Sequence, residues 1–290
     1  MNYHQTLGLL AVLVFFSSAA CGLLSGEQDN SGEYPTLYPR FDITEVEKMT
    51  SQYQSENGGH LCSTLNEFGF TGYSEILFTE GESPCLSRDV VRIEIPEQDT
   101  LIQAAKKILI KNSSYTGVED TSALQVKEKM PLYGCTICDG PDVDNVPIEW
   151  KITFAEQEMD SVQIKNTEIT IFIDAKGVNR IWGNWYLNFT QPEFINYGYV
   201  QVQNGLTGWK IDMRNFTGEE SIYTVLERDL KQNPFLSYLP LENETGLEIR
   251  KCWVVPIEYS DGEFPGWFAY VDVMNGEVLK FNSQEVFNKF

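Results

Sequence analysis

Basic residues are scarce in this chain of 290: Lys and Arg number 21 against 42 Asp and Glu, for a formal charge of −21 and a pI near 4.4. Such a surface repels a polyanion, which excludes nucleic-acid binding as a function class. Histidine is scarcer still, with only His4 and His60. Any Ser-His-Asp or Cys-His centre would have to be built on His60, which sits in a glycine-rich stretch beside Gly58-Gly59, and neither G-x-S-x-G nor H-E-x-x-H occurs. No EF-hand loop is present to turn the acidic excess into a calcium site, and no pair of carboxylates is set apart by its context. We expect no metal, no cofactor and no enzymatic activity.

What the chain has is apolar material for packed cores, at 42% hydrophobic and 13% aromatic residues, in a length that suits one large or two ordinary domains. It opens on the plan of a secretory signal: the apolar run Leu7 to Phe16, the small residues Ser17 to Ala20, then Cys21. The pattern resembles a bacterial lipoprotein signal, which implies lipidation of Cys21 and a place in the cell envelope, outside the cytosol. An uncut anchor over Leu7 to Leu24 is the alternative, made poor by its Ser-Ser-Ala-Ala segment. Residues 22–40, rich in Gly, Ser, acids and Pro, read as a flexible tether reaching roughly 20 Å.

Asp42 followed by Glu45 is a capping box that starts a helix ending before Gly58-Gly59. With short strands at Tyr73–Phe78 and Val90–Ile95 it forms a cap over residues 41–95. The strongest periodic signals lie between Glu248 and Phe281 and predict a three-strand meander, with breaks at Ser260-Asp261-Gly262 and Pro265-Gly266 and a turn at Asn275-Gly276. The run Glu220 to Gln232, with Ile222, Val225, Leu226, Asp229 and Leu230 at helical spacing, predicts the helix covering it. The order recurs upstream: Leu101–Ile110 as helix, Ile148–Phe154 as strand, Glu168–Asp174 and Val178–Trp182 as hairpin. The fold expected is therefore α+β, two tandem units over residues 96–190 and 191–290, each an antiparallel β-meander packed by a helix. Turn chemistry alone could also select the Asp and Gly that the two hairpins share.

The stretch GWFAYVDVMNGEVLKF resembles the end of a PepSY domain. The upstream copy, with LIQAAKKILIKN, YTGVEDTSALQV and a D-x-x-G turn, is similar to the fungalysin/thermolysin propeptide domain. The resemblance implies a cystatin-like, PepSY-like module that binds and regulates another extracytoplasmic or membrane protein, such as a protease or a sensor.

Of the cysteines after Cys21, we expect Cys62 to pair with Cys85 and Cys135 with Cys138, leaving Cys252 as a buried thiol in a core strand. Sequence does not fix that connectivity. A C-x-x-C pair at a helix N-terminus would be a redox centre, so a thiol-disulfide oxidoreductase on Cys135 and Cys138 is the competing function. The glycines and Pro141-Asp142 around the pair point to a loop between strands instead, and a zinc site would need further ligands from Cys62, Cys85 and His60. The cluster Trp182, Trp185, Tyr186, Phe189, Phe194, Tyr197 and Tyr199 marks the join of the units, as an interdomain core or as an exposed groove for a peptide or glycan. The binding candidates are Trp182, Trp185, Tyr186, Trp267 and Tyr270. The last two are assigned to an open face of the final meander, with Val271, Val273 and Leu279 on its buried face.

Overall fold

The computed structural model describes residues 34–72, 92–93, 98–135, 145–218, 220–259 and 264–284. In chain order the elements are β1 (Thr36–Pro39), α1 (Ile43–Glu56), α2 (Gln98–Lys111), α3 (Ser113–Thr116), β2 (Val126–Cys135), β3 (Asn145–Phe154), β4 (Glu158–Met159), β5 (Val162–Gln163), β6 (Ile169–Asp174), β7 (Gly177–Trp182), α4 (Tyr199–Leu206), β8 (Lys210–Asp212), β9 (Ile222–Thr224), β10 (Phe235–Glu242), β11 (Gly246–Ile257), β12 (Trp267–Asp272) and β13 (Val278–Ser283). The fold is α+β with antiparallel sheets and few helices. The expected signal, Cys21, Cys85 and Cys138 lie outside the described residues. So do the strand expected at Tyr73–Phe78 and, save residues 92 and 93, the one at Val90–Ile95.

The first sheet runs β2-β3-β6-β7. Its alternation is clean: Trp150, Ile152 and Phe154 of β3, Ile169, Ile171 and Ile173 of β6 and Ile181 of β7 share one face, and Leu101, Ala105 and Leu109 of α2 pack on it. Helix α1 starts as its sequence dictates, with Asp42 Oδ1 accepting from Glu45 N–H and Glu45 Oε2 accepting from Asp42 N–H. It sends Tyr53 into the same core, beside Leu61 and Leu65 from the segment that follows. That segment also covers the outer edge of β7: Cys62 N–H donates to Asn179 O at 2.7 Å and Ile181 N–H to Ser63 Oγ at 2.5 Å. Gly117 ends α3 in the left-handed region (φ 69°), where a Cβ would lie 1.9 Å from Trp185 O, so only glycine lets the helical corner close on that strand exit.

The second sheet is built on β11, twelve residues long, with β10 along one side and β1, then β12 and β13, along the other. Strand β1 was expected to be part of the tether. Instead Thr36–Pro39 pairs with Gly246–Ile249, and Tyr34 Oη accepts from Lys251 N–H at 2.7 Å, filling the gap between β1 and β12. One face of this sheet carries Val255, Ile257, Trp267, Ala269 and Val271, covered by Val202 and Leu206 of α4 and by the β8–β9 hairpin through Ile211, Tyr223 and Val225. The cover is therefore not the helix expected over Glu220–Gln232, which instead holds β9 and a 3-10 turn at Glu227–Asp229. The reason is Asp229: its buried Oδ2 accepts from Tyr223 Oη (2.7 Å) and Leu226 N–H (2.8 Å), a local pairing that competes with the helical ladder, and it leaves Ile222 exposed.

The faces assigned to the final meander are also corrected. Trp267, Ala269 and Val271 alternate on the face that α4 covers, while Tyr270 points the other way with Cys252, Val254, Leu239 and Leu279. Trp267 and Tyr270 are both buried, at 0% and 1% exposure, so neither offers a ring to solvent. Period-two alternation places residues 267 and 271 on one face and 270 on the other.

A third cluster joins the parts: Tyr38 of β1, Phe68, Ile164, Tyr186, Phe189, and Tyr238, Leu247 and Ile249 of β10 and β11. Ile164 forms a parallel bridge to Tyr238, and Tyr38 Oη donates to Leu187 O at 2.7 Å.

Candidate functional site

Asp174 and Asp272 end β6 and β12 and close the two hairpins in the same way. Each carboxylate accepts the N–H two residues on, Asp174 Oδ1 from Lys176 (2.7 Å) and Asp272 Oδ1 from Met274 (2.6 Å), as Asx turns do. Each also takes a further partner. Asp272, fully buried, is bound by Arg250 Nη1 at 3.1 Å, and Arg250 is held in turn by Glu248. Asp174 receives His60 Nε2 at 3.0 Å and Asn179 Nδ2 at 3.1 Å. Burial alone would raise the Asp174 carboxyl, but the bonds from Asn179, the Lys176 N–H and His60 together hold it below the ordinary carboxylate range.

This corner opens onto the face of the first sheet that α2 does not cover. Asn179 Nδ2 also donates to Glu149 Oε1 at 2.5 Å, and Glu149 pairs with Arg180. The register then places four side chains in one cross-strand row, Met130 opposite Lys151, Lys151 opposite Phe172, and Phe172 opposite Arg180. Arg180 lies 4.2 Å from the Phe172 ring centre and 5.4 Å from that of Trp182, whose rings meet edge-on at 4.5 Å. The neighbouring row holds Glu128, Thr153, Thr170 and Trp182, with Lys151 Nζ 2.6 Å from Glu128 and the two threonine hydroxyls 3.0 Å apart. Cations and carboxylates balance here, in a chain that is otherwise strongly acidic. Methionine, phenylalanine and tryptophan lie among them: Phe172 is itself buried, at 4% exposure, beside Arg180, while Met130 is 40% exposed. The face can take apolar contact and offers two fixed cations without net repulsion.

Of the five aromatic binding candidates only Trp182 belongs to this face. Trp185 packs into the core under α2 and Tyr186 into the joining cluster, where burial pushes its phenol up to about 12. The expected aromatic cluster thus divides: Trp185, Tyr186 and Phe189 are core, while Phe194, Tyr197 and Tyr199 are exposed. Sequence reasoning missed Lys151, Arg180 and Phe172. Arg180 and Phe172 alternate with core isoleucines along β6 and β7, which marked them as the opposite face.

Cys135 lies in β2, opposite Asn145 of β3, and its C-x-x-C partner Cys138 lies outside the described residues. Cys252 is a free, fully buried thiol whose ionisation burial opposes. Among the described residues no group of three or more His, Cys, Asp or Glu side chains is arranged to hold a metal ion, and no helix is long and apolar enough to cross a membrane.

No protein-family model matches the chain, and no curated protein matches it. Among solved structures, the Bacillus megaterium YpeB C-terminal domain is similar over 68% of this chain and 69% of its own, at 11% identity and a TM-score of 0.28. That likeness is too slight to carry the domain's fold or role over to this chain.

Proposed function

We propose that the chain is a non-enzymatic binding module of the cell envelope, anchored through Cys21, whose two helix-covered meanders present the outer face of the first sheet to another extracytoplasmic or membrane protein, such as a protease or sensor that it regulates. The observation that carries this reading is the cross-strand row Met130, Lys151, Phe172 and Arg180 with Trp182 beside it. A sheet face left to water ordinarily carries small polar and charged side chains. Here an arginine stacked on two rings and an exposed methionine make a charge-balanced surface of the kind found at the centre of protein contacts.

The test is photo-crosslinking in cells from a photoreactive residue at position 130, with the exposed position 43 as control. One specific adduct at 130, lost when Arg180→Glu and Trp182→Ala are combined, is the expected outcome. Equal labelling from both positions, or an adduct indifferent to the double variant, overturns the reading.

A further inference from the structure

The stretch from Phe194 to Trp209, FINYGYVQVQNGLTGW, holds no Asp, Glu, Lys or Arg in a chain of net charge −21. It also presents six large apolar side chains to solvent: Phe194 (69% exposed), Ile195 (41%), Tyr197 (40%), Tyr199 (51%), Val200 (52%) and Trp209 (40%). Their exposure is built in. The N–H groups of Asn196 and Tyr197 both donate to Val273 O at 3.0 Å, Asn196 Nδ2 donates to Met274 O, and Trp253 Nε1 donates to Tyr197 O at 2.8 Å. Val202 and Leu206 then fix α4 to the core, which leaves Tyr199 and Val200 on its outward side, while the bonds to Val273 O hold the chain at Asn196 and Tyr197 just before it.

The strip lies where the N-terminal segment enters the folded body. Tyr34 Oη accepts from Lys251 N–H, and the carbonyl of that same lysine accepts from Val273 N–H, one peptide away from the carbonyl that holds Asn196 and Tyr197. Thr36 Oγ1 accepts from Thr190 N–H at 2.7 Å, so the two segments run side by side. Cys21 precedes Tyr34 by 13 residues, a length of chain that spans at most roughly 45 Å even when fully extended, so an anchor at Cys21 would keep this end of the molecule near its bilayer. An acidic body resists approach to an anionic lipid surface, and an uncharged strip beside the anchor is the part that approaches without that penalty. Tyrosine and tryptophan, apolar rings with one polar edge, suit the headgroup region in particular.

We propose that Phe194 to Trp209 is a membrane-interface contact, its aromatic side chains lying among phospholipid headgroups and fixing the orientation of the body on the bilayer. The proposal rests on the anchoring proposed above, and its test separates the two. The full lipidated chain is reconstituted into phosphatidylcholine vesicles that contain a photoactivatable phospholipid. Flotation reports the anchor by itself, and the position of lipid adducts, mapped by mass spectrometry, reports the strip. We expect adducts concentrated in residues 194–209 and a several-fold drop for Phe194→Ser with Tyr199→Ser while flotation is unchanged. Adducts confined to the N-terminal segment, adducts over residues 194–209 that the double variant does not reduce, or failure of the chain to float each overturn the proposal.

Discussion

At the scale of single residues, the hairpin aspartates show how one side chain type serves both sheets with different partners. Asp272 is neutralised by an arginine inside the protein, whereas Asp174 collects His60, Asn179 and a backbone N–H at a half-buried corner. The folded pKa of Asp174 is depressed, so its contribution to stability is fully present above the unfolded carboxylate value of about 3.9 and is lost as pH falls through the lower folded value. Asp174→Asn keeps an oxygen for the Lys176 N–H and removes the charge. Thermal midpoints taken from pH 6 to pH 2 are therefore expected to differ most between wild type and variant above pH about 4, and to converge below it. A gap that stays constant across that range would show that the charge contributes nothing. Both aspartates were visible in the sequence as turn residues because an Asx turn is a local matter. Their partners were not visible: His60 lies 114 residues from Asp174, and nothing in its glycine-rich setting points there.

At the scale of elements, signals that depend on a few neighbouring residues were legible. The capping box of α1, the heptad-like apolar face of α2, the strands β3, β6, β7 and β12 and the turn at Asn275-Gly276 all follow from short windows. Strands whose pairing does the specifying were missed. β2 reads as charged and carries Pro131 on an edge, β10 carries Pro240, and β1 is four residues inside a stretch with tether composition. The covering helix of the second sheet was misplaced because the apolar spacing over Glu220–Gln232 suits a helix, while α4 is only eight residues and contains Gly205. The two placements differ in which side chains are buried, and denaturant unfolding separates them. Leu206→Ala, at a fully buried site under the sheet, should lower stability by about 2–5 kcal/mol. Ile222→Ala, at a side chain 66% exposed on β9, should stay within about 0.5 kcal/mol. Had the helix formed over 220–232, the two costs would be the other way round.

At the scale of the whole molecule, the joining cluster draws residues from Tyr38 to Ile249 into one contact, and no window of sequence contains it. Composition is the property of the whole that sequence does fix, and here it is dominated by charge. An excess of 21 carboxylates confined to a folded surface repels itself more than the same charges do in an expanded chain, a cost of compactness. Ion pairs act in the opposite sense, but those near the surface, such as Lys231–Glu258, contribute at most about 1 kcal/mol each and are screened as well. The Arg250–Asp272 pair is sheltered by burial and loses less. The balance therefore favours salt. Raising ionic strength from 0.01 M to 1 M shortens the screening length from roughly 30 Å to roughly 3 Å, which removes most of the long-range repulsion while leaving contacts inside the sheets intact. The thermal midpoint is expected to rise monotonically with NaCl over that range and to rise less at a pH near the pI of 4.4, where net charge is already small. A midpoint that is flat or falls with NaCl at neutral pH would mean that surface ion pairs, and not the excess of negative charge, set the electrostatic contribution to this fold.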